Sequence, residues 1–177
     1  RKIMIIGIPR EIKDSEHRVG LLPSGVYQLI QRGHRVVVEK SAGAGSYYLD
    51  EDYTEAGAEM VDSPTAVFEQ ADLIVKVKEP QPGETQLLRK GQLLFTYLHL
   101  APARELTLEL IASGVTAIAF ETINLNGRLP LLEPMSEIAG RMSVLVGGYF
   151  LAKHHGGSGI LLGGVPGVLP GKVVVLG

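Results

Sequence analysis

Cysteine is absent from the 177 residues, which excludes a disulfide framework and a thiolate metal site, and five scattered histidines do not rebuild one. Blocks of positive charge are missing too. Lys and Arg number 17 against 19 Asp and Glu, a net charge of -2, so nothing in the chain neutralises a run of phosphates and nucleic acid is not expected as a partner. There is no long apolar run: the most hydrophobic stretch, Val144 to Ala152, is half the length needed to span a bilayer and contains Gly147 and Gly148. Arg1-Lys2-Ile3-Met4 leads into a strand-like segment with no small-residue cleavage site behind it. No export signal and no membrane association are read, and a cytoplasmic location is expected. No His/Glu spacing suits zinc, and no Lys-Ser or Lys-Thr follows the glycines as a Walker turn requires. What the chain does have is 45% apolar residues, enough to bury the core of one domain or of one and a part.

Short β-branched runs recur at Ile3 to Ile8, Val36 to Val38, Leu73 to Val77, Leu93 to Leu98, Val115 to Phe120 and Val173 to Leu176. Each is too short for a helix and reads as a strand. Helical patterns alternate with them. One follows Ser24 and is stopped by Gly33; a second opens on Ser63-Pro64, a cap followed by a proline whose missing N–H costs nothing there. A third runs from about Pro102 or Ala103 to Ser113, closed by Gly114, with Leu106, Leu110 and Ile111 on one face. Strand then helix, repeated, predicts a Rossmann-like α/β fold, a parallel sheet with helices on both faces.

The pattern changes after Phe120. Asn124 to Pro130 reads as a turn, and a long helix begins near Ser136 with Ile138, Met142, Leu145, Val146 and Tyr149 at helical spacing. Residues 156 to 171 then hold seven Gly and two Pro, a composition that suits a linker or a backbone-lined crevice. Lys172-Val173-Val174-Val175-Leu176-Gly177 reads either as the first strand of a dinucleotide-binding unit, ending on the first Gly of its turn, or as a last strand of the same domain. The expected division is residues 1–131 as a substrate-binding domain and 132–177 as an interdomain helix, a Gly-rich segment and the start of a truncated NAD-binding domain.

In an open parallel sheet, ligands bind outside the carboxyl ends of the strands, so polar residues just past the strand runs are the ones to inspect. Lys78 follows the run ending at Val77, His99 the run ending at Leu98, and Glu121 the run ending at Phe120; Arg18 closes a polar loop after the first strand. Arg offers a planar fork matched to a carboxylate, Lys a point charge that polarises a carbonyl, and His a proton exchanged near neutral pH. The set suits a small 2-oxo or 2-amino acid. Blander readings stand beside it. Lys76 and Lys78 share one strand face as solvated rim residues, His99 is a core histidine bonded to a carbonyl, Arg18 pairs with Glu16 or Glu11, and Glu121 caps its strand or orients a neighbour. His17, His34, His154 and His155 read as solvent-facing or helix-end residues.

Five segments carry a family resemblance: Gly7-Ile8-Pro9-Arg10-Glu11 with Arg18-Val19, Lys76-Val77-Lys78-Glu79-Pro80, Leu94 to Leu100, Pro130 to Arg141, and Gly163 to Val168. In that order they resemble the alanine dehydrogenase family over essentially the whole chain. The resemblance implies interconversion of L-alanine plus NAD with pyruvate, ammonia and NADH in a homo-oligomer, a hexamer. It also implies that Arg18 and Lys78 hold the substrate carboxylate and carbonyl, that His99 donates and accepts protons, and that Ser136 touches the cofactor, with Gly177 opening the nucleotide turn. The rest of the glycine fingerprint, the acidic residue for the ribose and a further catalytic Asp are expected beyond Gly177. A related alternative is the NAD-binding component of proton-translocating transhydrogenase, which shares the opening signatures but lacks the His after the fifth strand and the second Lys of Lys-Val-Lys. A third reading is a non-catalytic binding module.

Overall fold

The computed structural model describes residues 3–176 and divides the chain into two compact units, residues 1–123 and 124–177. The first is built on six parallel strands: β1 (Ile5–Ile8), β2 (Arg35–Glu39), β3 (Glu59–Val61), β4 (Leu73–Val75), β5 (Leu93–Thr96) and β6 (Thr116–Ala119). Their order across the sheet is β3-β2-β1-β4-β5-β6, so the winding reverses between β1 and β4. Four helices belong to this unit: α1 (Pro23–Gln31), α2 (Asp50–Glu55), α3 (Pro64–Gln70) and α4 (Arg104–Ser113). A single 3-10 turn, Thr85–Leu87, connects β4 to β5.

The alternation of strand side chains explains why this sheet is covered twice. Val36 and Val38 pack with Ile6, Ile8, Val26 and Tyr53 in one cluster, while Val37, between them, packs with Val67, Phe68, Ile74, Leu94 and Leu110 in another. All three valines are buried. Local signals set the helix ends. Ser63 Oγ accepts a hydrogen bond from the Ala66 amide at 3.3 Å, capping α3, and Gly114 closes α4 in the left-handed region at φ +69°.

Several sequence expectations are corrected. The α1 cap is Leu22, with Pro23 opening the helix and Ser24 inside its first turn, because proline's fixed φ starts the helix without a side-chain acceptor. Ile111 is 70% exposed, so the buried face of α4 is carried by Leu110, with Leu106 packed beside it. β3 and α2 were not expected. β3 is a three-residue edge strand, and α2 carries three acidic residues in its first turn and buries Tyr53 alone. Val173 to Leu176 forms no strand: no neighbour pairs with it among the described residues, and a strand exists only through its ladder.

The second unit contains α5 (Glu133–Leu151), opened by Pro134 in its first turn. The Asn124 to Pro130 turn is present, with Leu125 bridging Arg128 and both Asn126 and Gly127 at positive φ. Inside the Gly-rich segment, Val165-Pro166-Gly167-Val168 closes a second tight turn, Val168 donating to the Val165 carbonyl at 2.8 Å with Gly167 at φ +86°. Ile138, Met142, Leu145, Val146 and Tyr149 of α5 are exposed among the described residues. No described helix is long and apolar enough to cross a membrane.

Candidate active site

The strands stop short of the residues that carry chemistry. The strands β4 and β5 end at Val75 and Thr96, and after two last backbone bonds, from Lys76 to the Phe95 carbonyl and from Tyr97 to the Val77 carbonyl, the chain leaves the ladder at the carboxyl edge beside the switch point. Backbone polar groups that lose strand neighbours need other partners. Here acidic side chains supply most of them. Glu11 Oε1 accepts from the Val77 amide at 2.6 Å and from the Lys78 amide at 3.4 Å, and Thr96 Oγ1 donates to the Lys78 carbonyl at 2.8 Å.

Lys76 is not a solvated rim residue. Its side chain is 0% exposed, and its ammonium lies 2.8 Å from Glu84 Oε1 and 3.2 Å from Glu11 Oε2. A cation in that position must be paired because its desolvation is otherwise prohibitive. Glu84 uses its other oxygen to accept the Gln81 amide at 2.7 Å. Burial pushes the Glu11 carboxyl up, against the opposing pull of the Lys76 ammonium and the two amides it accepts. Lys78, by contrast, keeps 27% of its side chain exposed, with its ammonium 3.7 Å from Glu79 Oε2. Glu79 also pairs with Lys13.

Arg18 is gripped by Glu16, Nε to Oε1 at 2.8 Å and NH2 to Oε2 at 2.6 Å. Hydrogen bonds from the guanidinium lower the Glu16 pKa to about 2, with a smaller contribution from the charge of Lys78. Arg18 and Tyr97 also act on one another electrostatically. The loop bearing Arg18 approaches β4 this closely because residue 20 is glycine: a Cβ there would sit 2.6 Å from the Val75 carbonyl oxygen.

His99 is exposed rather than a core histidine, and its backbone is left-handed at φ 49°. For a residue with a Cβ that conformation costs roughly 1–2 kcal/mol. Glu121 compensates: its Oε1 accepts the His99 amide at 2.7 Å, and its two oxygens accept the Leu98 amide at 3.1 and 3.2 Å. Phe120 meets Phe95 and Tyr97 edge-to-face, centroids 4.2 and 5.0 Å apart, tying the ends of β5 and β6 together.

Arg18, Lys78 and His99 therefore come from three strand ends of one sheet, and none of the cavities described among these residues is lined by all three. His99 borders a cavity of about 340 Å³ with Ala101, Ala119, Glu121 and Thr122. Arg18 borders another of about 230 Å³ with Arg10, Glu11, Glu16 and the Ser41 to Gly45 segment, and Lys78 lines neither. Ser136 is exposed in the first turn of α5, in the second unit, and Gly177 lies outside the described residues. Among the other histidines, His34 does more than face solvent: its Nδ1 accepts the Met4 amide at 3.3 Å, and the His154 and His155 rings meet at a tilt of 51° in the turn just past α5. Among the described residues no group of three or more His, Asp or Glu side chains is placed to hold a metal ion. Glu84 was assigned no role from sequence, and of the two partners expected for Arg18, Glu16 or Glu11, it is Glu16 that pairs with it while Glu11 turns to Lys76. The neighbourhood of Glu11 was visible in Gly7 to Glu11, whereas the pairings of Glu84 and Lys76 left no sequence signal.

A doubly wound parallel sheet with an arginine fork, a lysine and a histidine past its carboxyl edge defines a Rossmann-like α/β domain. The comparisons make this specific. The chain matches the family model described as "Alanine dehydrogenase/PNT, N-terminal domain" over residues 7–139 and the corresponding C-terminal domain over residues 143–177, and it belongs to that family. Among its relatives, alanine dehydrogenase from Staphylococcus saprophyticus is 57% identical over 98% of this chain and 47% of its own length. Alanine dehydrogenase from Methanococcus maripaludis is 53% identical over the same shares. A solved L-alanine dehydrogenase superposes with a TM-score of 0.88 at 57% identity, covering 98% of this chain and 48% of that one. A transhydrogenase from Sinorhizobium meliloti superposes with a TM-score of 0.64 at 31% identity over 68% of this chain and 34% of its own. The chain thus spans about half the length of the curated relatives it matches.

Proposed function

We propose that the protein carrying this chain catalyses the NAD-dependent oxidative deamination of L-alanine to pyruvate and ammonia, and the reverse amination. In the reductive direction pyruvate, ammonium, NADH and one proton give L-alanine, NAD and water. The observation that carries the proposal is the delivery of Arg18, Lys78 and His99 from three strand ends to the carboxyl edge of one sheet. Arg18, fixed by Glu16, holds the substrate carboxylate. Lys78 polarises the keto oxygen with its charge, and His99 gives and takes protons as ammonia adds and water leaves, work worth roughly 10²–10⁴-fold.

The first unit fits the oxo acid better than the dinucleotide. Its β1 to α1 crossover, residues 9–22, has no G-x-G-x-x-G turn and carries Glu11, Glu16 and Arg18 instead. Ser136, exposed at the start of α5, suits a polar contact to the cofactor, and Gly177 is assigned to the turn against its phosphates. Bound NADH supplies the hydride. A cytoplasmic homo-oligomer, a hexamer, is proposed with it from the family.

His99→Ala in the complete protein should abolish pyruvate- and ammonium-dependent NADH oxidation. Activity within a few-fold of the unaltered protein would exclude the role given to His99. Hydride transfer between two nicotinamide nucleotides, with indifference to alanine, would instead place the protein with the transhydrogenase components.

A further inference from the structure

The role proposed for His99 needs an imidazole held in one place, yet the residue is exposed and lies three positions past the last paired residue of β5. We propose that Glu121 is the positioning residue for His99, its carboxylate gripping the Leu98 and His99 amides and so fixing the left-handed turn that presents the imidazole. The proposal rests on the reading of His99 as proton donor and acceptor. Glu121 itself is given no contact with substrate.

Two successive amides aimed at one anion form a nest, and a carboxylate accepts from such donors about twice as strongly as a neutral oxygen. The short bond is the one to the strained residue, 2.7 Å to His99 against 3.1 and 3.2 Å to Leu98. The backbone ladder makes its last contribution one residue earlier, where Tyr97 donates to the Val77 carbonyl at 3.1 Å. Glu121 is itself placed by rigid surroundings. It sits in the 3-10 turn Phe120–Thr122, whose Phe120 ring is locked edge-on against Phe95 and Tyr97. The arrangement joins β6 to the end of β5 through one carboxylate, and a displaced carboxylate moves the imidazole with the backbone.

Glu121→Gln preserves side-chain size and one acceptor oxygen but removes the charge and turns a donor toward one of the two amides. In the complete protein, kcat for pyruvate amination should fall on the order of 10²-fold while KM for pyruvate stays within about threefold and the melting temperature is retained. Hydrogen exchange of the unaltered protein gives a readout independent of the variant's folding, because the Leu98 and His99 amides should exchange at least about tenfold more slowly than free amides. Normal kcat in Glu121→Gln beside an inactive His99→Ala overturns the positioning role alone, as does unprotected exchange at both amides. Retained amination in His99→Ala overturns the underlying reading of His99 instead.

Discussion

Removing the Lys76 ammonium should destabilise the first unit more than any surface charge change. The side chain is fully buried, with carboxylate oxygens at 2.8 and 3.2 Å. At an effective dielectric constant of about 20 those separations correspond to attractions of about 6 and 5 kcal/mol, set against a desolvation cost of several kcal/mol per ion. The net worth of the triad is therefore small, but Lys76→Met strands two buried carboxylates and should cost about 3–5 kcal/mol. Urea unfolding at neutral pH, read as a change in midpoint at constant slope, measures it. The cost should narrow on acidification. Glu11, already pushed up by burial, loses the opposing pull of Lys76 in the variant, and a carboxyl with a raised folded-state pKa contributes stability below its unfolded value that is lost as pH rises. Lys76→Met combined with Glu11→Gln and Glu84→Gln should recover most of the loss. A single-variant deficit below about 1 kcal/mol at neutral pH would refute the account of the triad as an obligatory charge set.

Two further outcomes test the edge of the site. The Glu16 carboxyl, lowered to about 2 by the Arg18 guanidinium, should stay ionised as the medium is acidified past the ordinary carboxylate range, so its stabilisation is fully present above the unfolded value of 4.5 and is lost progressively as pH falls from there through about 2. A carboxyl NMR titration reads this, and a midpoint near 4.5 would show that the Arg18–Glu16 pair does not persist in solution. Gly20→Ala brings a Cβ to within 2.6 Å of the Val75 carbonyl oxygen. It should cost about 1–3 kcal/mol in unfolding measurements and raise KM for pyruvate by moving the Arg18 loop off β4, and a neutral substitution would mean the loop does not lie there.

The strand and helix pattern was legible because most runs are apolar and most helix ends carry local chemistry, as Ser63 and Gly114 do. β3 escaped notice because three residues, Glu59 to Val61, give too short a run to read periodicity. α2 escaped because six residues bury a single ring. At the site, position past a strand picked out Lys78, His99, Arg18 and Glu121 but could not separate Lys76 from Lys78. Two residues apart on one chain, they look alike until Glu11, 65 positions away, and Glu84 close around one of them. The same holds for Glu121, whose identity was visible and whose partners, 22 and 23 residues earlier, were not.

Two carboxylates at the carboxyl edge, Glu11 for Val77 and Lys78 and Glu121 for Leu98 and His99, each hold a pair of amides where strand pairing gives out. The reach of the sheet is thereby separated from the shape of its edge. The interior is held by main-chain ladders that almost any apolar sequence supports, while the outline of the edge is set by a few side chains, each replaceable one codon at a time. Such a division of labour lets the carboxyl margin be reshaped without re-registering a strand.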